Sequence, residues 1–106
     1  MVQFYYVIYR GDEGLSVDKN IVMRQIGAKL SYWRTLRQMT QAQLSKKSGI
    51  SRTVISRIER GVYSEGINLS ILMNLAESLQ IDFTVLITFD KLERKMWDET
   101  LSYDEE

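Results

Sequence analysis

Residues 39–61 read MTQAQLSKKSGISRTVISRIERG, and this stretch decides the fold. Thr40 is a good N-cap for a short helix that runs to residue 47 or 48, and Gly49 supplies the turn after it. Ser51 then caps another short helix that ends at Gly61. Because only a few residues separate the two helices, we expect them to cross at a steep angle. A unit of this shape can place its second helix in the major groove of DNA.

Helical spacing divides the second of these helices into two faces. The inward residues, which fix the crossing angle, are expected to be Leu44, Ile50, Ile55 and Ile58. Four residues remain on the outer face at i, i+1, i+4 and i+5, namely Arg52, Thr53, Ser56 and Arg57. Arginine suits the two acceptors of guanine, and serine or threonine is permissive. This face therefore predicts contact with DNA bases, and two solvated arginines are the alternative.

Two further helices flank the central stretch. Between residues 16 and 38, apolar residues recur at three- and four-residue steps, and Asp18 is a plausible N-cap. Gly27 lies inside this helix at a local cost, so its first turns could instead belong to a linker. Asn68 caps the last helix, whose wide apolar stripe indicates packing against a core and consists of Leu69, Leu72, Met73, Leu75, Ala76 and Leu79.

The two ends of the chain have a different character. Phe4–Tyr9 is aromatic and β-branched and is predicted to be a strand. Ile81–Phe89 alternates in the same way, so a second strand is favoured, with a short helix as the alternative. The charged tail from Asp90 contains scattered apolar residues and could form an amphipathic helix.

Composition excludes much chemistry. The 106 residues are enough for one domain, and the chain contains neither cysteine nor histidine. Disulfides and thiolate metal sites are therefore excluded, and the commonest general base is absent. We predict no enzymatic activity, no cofactor and no metal site. The N-terminal apolar run lacks a basic leader and is too short to span a bilayer, so no membrane association and a cytoplasmic location are expected.

The net charge of zero conceals a strong segregation of charge. Residues 24–63 contain nine basic residues and one acid, a net charge of +8. Residues 64–106 contain ten acids and three basic residues, a net charge of −7, and residues 1–23 have a net charge of −1. A basic block that coincides with the helical unit is the pattern expected of a surface that contacts phosphates.

Together these residues resemble the Cro/repressor-like (Xre-type) helix-turn-helix family of phage and bacterial regulators. The resemblance covers about residues 26–81, in a pattern that includes Met39-Thr40-Gln41, Gly49-Ile50-Ser51 and Ile55-Ser56-Arg57-Ile58-Glu59-Arg60-Gly61. It implies a mainly α fold, a lambda-repressor-like bundle of four to five helices, to which short β-strands are added at the N-terminus and after the fourth helix. Within one compact domain we expect an N-terminal β segment and loop at 1–16, the DNA-binding unit at 17–82, and a β segment with an acidic tail at 83–106.

The resemblance also implies roles for individual residues. Arg52, Thr53 and Arg57 match base-reading positions, with Ser56 beside them. Gln41 matches a glutamine that touches phosphate and braces the reading helix. The positions that hold the DNA backbone are matched by Thr40, Lys46 and Arg60. Arg34 and Glu59 match a partly buried ion pair, which would explain why the single acid of the basic block does not repel DNA.

The predicted function is that of a sequence-specific regulator, a repressor, that binds double-stranded DNA as a homodimer. Exposed apolar strands are prone to aggregate, so the two β segments should be paired, within one chain or between chains. The alternative is an antitoxin or partner-binding adaptor that uses the terminal β segments and the acidic tail to bind another protein.

Overall fold

The computed structural model describes residues 19–63, 66–89 and 93, so the strand predicted at Phe4–Tyr9 and the helix considered for the tail lie outside the described residues. The described chain forms four α-helices and then a 3-10 helix. They are α1 (Lys19–Leu36), α2 (Gln41–Ser48), α3 (Arg52–Glu59), α4 (Leu69–Leu79) and the 3-10 helix Phe83–Leu86. α3 packs on α1 and α2, while α4 packs on α2 and on the 3-10 helix. The four helices predicted in this range are confirmed.

Side-chain caps fix where the short helices begin. The Thr40 hydroxyl accepts a hydrogen bond from the backbone N–H of Gln43 at 3.0 Å, and the Gln43 side chain accepts one from the Thr40 N–H at 2.8 Å. This reciprocal capping box satisfies two donors that a helix start leaves open. Ser51 caps α3 through the Val54 N–H, and Asn68 caps α4 in the same way. All three caps lie at the positions predicted from the sequence.

Gly27 allows α1 and α3 to approach until their backbones touch. A Cβ atom at this position would collide with the backbone carbonyl oxygen of Ile58. The glycine is therefore required for the packing of two helices, although it is a poor residue for the interior of one. α1 has 18 residues and is the longest helix in the described ranges, and none of the helices there is long and apolar enough to cross a membrane.

The core lies between the four α-helices and the 3-10 helix. Its apolar side chains are almost wholly shielded from solvent, and those no more than 2% exposed are Leu30, Leu44, Ile55, Ile58, Leu75, Ala76, Leu79, Leu86 and Phe89. Gln25 is buried with them at 1% exposure. Among the described residues, nothing forms a hydrogen bond with either polar atom of its side-chain amide. A buried amide in this state destabilises the folded chain.

The second predicted strand, at Ile81–Phe89, is wrong. The backbone there forms a 3-10 helix that Asp82 caps, and Asp82 Oδ1 accepts hydrogen bonds from the N–H and the hydroxyl of Thr84. These bonds hold the pKa of the Asp82 carboxyl below its ordinary value. Alternation would have placed Leu86 opposite Phe89, whereas both are buried in the core, three residues apart. The 3-10 helix ends at Leu86, and after a turn at Ile87 the chain places Phe89 in the same core, so packing overrides the β propensity of the segment.

Candidate nucleic-acid interface

α3 has one buried face and one accessible face. Ile55 and Ile58 have no exposed surface, and they anchor the helix in the core. On the opposite side, Arg52 and Thr53 are exposed, while Ser56 and Arg57 are half-buried. The structure therefore brings the four predicted base-reading residues together along one side of α3. Whether they contact DNA stays a prediction.

A bidentate ion pair joins α1 to the end of α3. Arg34 Nε lies 2.7 Å from Glu59 Oε2, and Arg34 Nη2 lies 3.0 Å from Oε1. The side chains are 16% and 7% exposed, respectively, so the pair is largely shielded from water. The hydrogen bond to Glu59 raises the pKa of Arg34 above its ordinary value. Arg34 Nη1 also donates to the backbone carbonyl of Met39 at 2.7 Å, which fixes the link between α1 and α2.

Gln41 extends this pair into a network of three helices. Its side-chain amide donates to Glu59 Oε1 at 3.1 Å, the same oxygen that receives the Arg34 Nη2 bond. α1, α2 and α3 thus each contribute one side chain to a single cluster of charge-assisted hydrogen bonds, which are stronger than neutral ones. The bracing of α3 by Gln41 is visible in this contact, and its contact with phosphate stays a prediction.

The other predicted phosphate-binding residues lie on α2 and at the end of α3. Lys46 is exposed on α2, and Arg60 is exposed at the C-cap of α3. Arg60 Nε donates to the Ser56 carbonyl at 3.3 Å, so its side chain lies back along the helix. The Thr40 hydroxyl accepts the capping bond described above, and an O–H group that accepts can also donate.

Two basic residues of the basic block have structural contacts that the sequence did not indicate. Arg37 donates from Nε to the Leu79 carbonyl at 2.8 Å and so caps the C-terminus of α4. Lys29 donates from Nζ to the Thr88 carbonyl at 2.7 Å and forms an ion pair of 3.3 Å with Glu93. Part of the positive charge therefore holds the bundle together instead of being presented to a ligand.

Arg57 has an aromatic neighbour that no sequence pattern indicates. Its guanidinium carbon lies 5.3 Å from the centre of the Tyr63 ring, within the range of a cation–π contact. Tyr63 is half-buried and packs against the core. It lies beyond the end of α3, and no helical spacing connects it with Arg57.

Comparison with known proteins identifies the fold. A model of the helix-turn-helix family matches residues 30–86, which is more than half of the chain. The chain belongs to the helix-turn-helix family. The Cro/repressor-like (Xre-type) resemblance inferred from the motif is thereby confirmed. The match begins within α1 and ends with the 3-10 helix, so both the network around Glu59 and Tyr63 lie inside the helix-turn-helix unit.

Two relatives support this assignment. An uncharacterised HTH-type transcriptional regulator of Methanocaldococcus jannaschii is 45% identical over 42 residues, which are 40% of this chain and 64% of that protein. The chain thus spans somewhat less than two thirds of the length of this curated relative. The crystal structure of the restriction-modification controller protein C.AhdI from Aeromonas hydrophila is 28% identical, with a TM-score of 0.57. That alignment covers 60% of this chain and 94% of the controller protein.

Proposed function

We propose that the protein is a sequence-specific transcriptional regulator that binds double-stranded DNA by inserting α3 into the major groove. The observation that carries the proposal is the outer face of α3, where Arg52, Thr53, Ser56 and Arg57 lie side by side while the opposite face is buried. The family includes transcriptional regulators, and the relatives named above are described as a transcriptional regulator and a controller protein.

The electrostatics of α3 support the same function. Glu59 is the single acid between residues 24 and 63, and its side chain is only 7% exposed. Its charge is compensated by Arg34 at 2.7 Å, so it adds little repulsion toward a phosphate backbone. Lys46 and Arg60 add exposed positive charge next to α3. Such residues supply the salt-dependent part of DNA affinity, whereas base contacts supply specificity.

We further propose that the protein acts as a homodimer on a pseudo-palindromic operator and represses transcription by occupying it. Helix-turn-helix proteins commonly read two half-sites about one helical turn apart. The segment 81–89, predicted as a strand, contributes Leu86 and Phe89 to the core of its own chain. Sedimentation of the free protein and of its operator complex tests this, because one chain per operator would contradict the homodimer.

The decisive experiment selects bound sequences from random duplex DNA and then measures affinity against salt concentration. We expect an enriched site with two-fold symmetry and a steep loss of affinity as salt rises. Arg52→Ala should relax the preference at one base pair, at a cost of about 1–3 kcal/mol. The matched control, Lys46→Ala, should weaken binding to all sequences equally and reduce the salt slope by about 1. Recovery of no enriched sequence would contradict the proposed function.

A second candidate function is that of an antitoxin or partner-binding adaptor, and one surface feature favours it. Tyr32 and Leu36 lie one turn apart on α1, and they are 61% and 52% exposed. Exposed large apolar side chains of this kind are common in protein interfaces. Tyr32→Ser with Leu36→Ser should then abolish binding of a protein encoded in the same operon and leave DNA binding intact. Loss of neither activity would argue against the adaptor.

A further inference from the structure

The contact between Arg57 and Tyr63 is held by the backbone that follows α3. The N–H of Val62 donates to the Arg57 carbonyl at 3.0 Å, and the N–H of Gly61 donates to the Ile58 carbonyl at 2.9 Å. With Gly61 at a φ of 71°, these two bonds form a Schellman motif. The chain therefore folds back over the last turn of α3, on the side where Arg57 lies.

The backbone of Tyr63, the residue after this motif, is also held by a hydrogen bond. The carbonyl of Tyr63 accepts a hydrogen bond from the N–H of Gly66 at 3.2 Å, and Gly66 has a φ of 86°. The Tyr63 side chain is half-buried and packs against the core. Because these backbone bonds and the packing already restrict the Tyr63 ring, it loses few conformations when it contacts the Arg57 side chain. Arg57, in contrast, has a long side chain that must be ordered before it can contact a base at a defined position.

We infer that Tyr63 is a positioning residue: it orients the Arg57 guanidinium toward one base pair and thereby contributes to sequence preference. This inference rests on the proposed function. An aromatic ring contacts the face of a guanidinium, and the N–H donors of the group lie in its plane, so stacking is compatible with bidentate bonding to guanine. Ordering the Arg57 side chain before DNA binds lowers the entropic cost of binding. The gain in affinity is confined to DNA that offers the matching acceptors.

Arg52 provides an internal comparison. It is exposed at the first position of α3, and among residues 19–63 and 66–89 nothing forms a hydrogen bond, an ion pair or a ring contact with its side chain. Tyr63 should therefore influence the contribution of Arg57 and leave the contribution of Arg52 unchanged. This difference separates a positioning role from a general effect on folding.

The test is a double-mutant cycle measured by fluorescence anisotropy on a duplex that the parent protein has selected. Tyr63→Leu should weaken binding about threefold, the size of an accessible cation–π contact, and should relax the preference at one base pair. Tyr63→Phe retains the ring and should bind as the parent does. In an Arg57→Ala background, Tyr63→Leu should have no further effect. In an Arg52→Ala background, it should again weaken binding about threefold.

Each other outcome has a distinct meaning. If Tyr63→Leu weakens binding by the same factor in the Arg57→Ala background as in the parent protein, Tyr63 acts through stability alone and the inference is wrong. If Arg52→Ala relaxes specificity and Arg57→Ala does not, the proposed function stands and the inference fails. If the parent protein binds no duplex, the proposed function itself fails.

A measurement on the free protein keeps the inference testable even if Tyr63→Leu does not fold. NMR spectra of the parent and of Tyr63→Phe should both show the side-chain protons of Arg57 shifted upfield by the ring current of residue 63. Protons of Arg57 at random-coil positions in the folded parent would overturn the positioning role.

Discussion

The network around Glu59 allows a quantitative prediction about stability. Arg34→Met removes both hydrogen bonds to the Glu59 carboxylate and the bond to the Met39 carbonyl. The Glu59 carboxylate, whose side chain is 7% exposed, would then have the Gln41 amide as its one remaining hydrogen-bond partner among the described residues. Breaking a buried pair by removing one member costs about 3–5 kcal/mol. Because Arg34 is 16% exposed, we expect the lower end, about 3 kcal/mol.

The assay is urea unfolding followed by circular dichroism, with thermal unfolding as a second measure. A loss of about 3 kcal/mol corresponds to a decrease in Tm of at least about 12 °C for a domain of this size. Glu59→Met should cost a similar amount. The double variant should cost less than either single one, since two apolar side chains leave no buried charge.

The control is Lys46→Met on α2, an exposed residue for which we expect a change within about 0.5 kcal/mol. Two results would refute the reasoning: an Arg34→Met variant as stable as the control, or a double variant that costs the sum of the two single ones. High salt should lower the stability of the parent protein little through this pair, because a shielded pair is weakly screened.

Three further predictions concern the bundle. Gly27→Ala should lower the free energy of unfolding, measured by urea titration, by more than about 2 kcal/mol through the collision with the Ile58 carbonyl. Gly49 has open space around it but a φ of 77°, so Gly49→Ala should cost about 1–2 kcal/mol. Arg37→Met should lower Tm by the equivalent of about 1 kcal/mol, since it removes the hydrogen bonds that Arg37 donates to the Leu79 and Gln80 carbonyls. A fall in DNA affinity by anisotropy would show that Arg37 also contacts DNA. Gln25→Met should raise stability by about 1 kcal/mol in calorimetry, because the buried amide has no partner among the described residues; a loss instead would reveal a hydrogen bond to that amide.

The features that the sequence predicted correctly depend on short-range chemistry. Thr40, Ser51 and Asn68 each satisfy a backbone donor three residues away, so a local pattern is enough to identify them as caps. The left-handed turn at Gly49 follows from the absence of a Cβ atom. The outer face of α3 follows from helical period, once Ile55 and Ile58 are assigned to the core.

The features that it missed depend on contacts between distant parts of the chain. Residues 83–89 have strong β propensity, but the core accepts Leu86 and Phe89 together on one side. Lys29 and Thr88 are separated by 59 positions in the sequence, and Arg37 and Leu79 by 42 positions. No pattern within a single helix shows that either cation turns toward the bundle, and the base contacts of α3 require DNA to be tested at all.

The backbone contact between α1 and α3 has a consequence for how the protein can acquire new targets. Because the Ile58 carbonyl lies directly against Gly27, the backbones of the two helices are in contact there, and this contact sets their distance at that point. Substitutions on the outer face of α3 therefore cannot alter that distance through repacking. Under the proposed function, a new set of outer residues would meet DNA at the same height, which makes the face exchangeable, in evolution or in design, while the bundle beneath it stays the same.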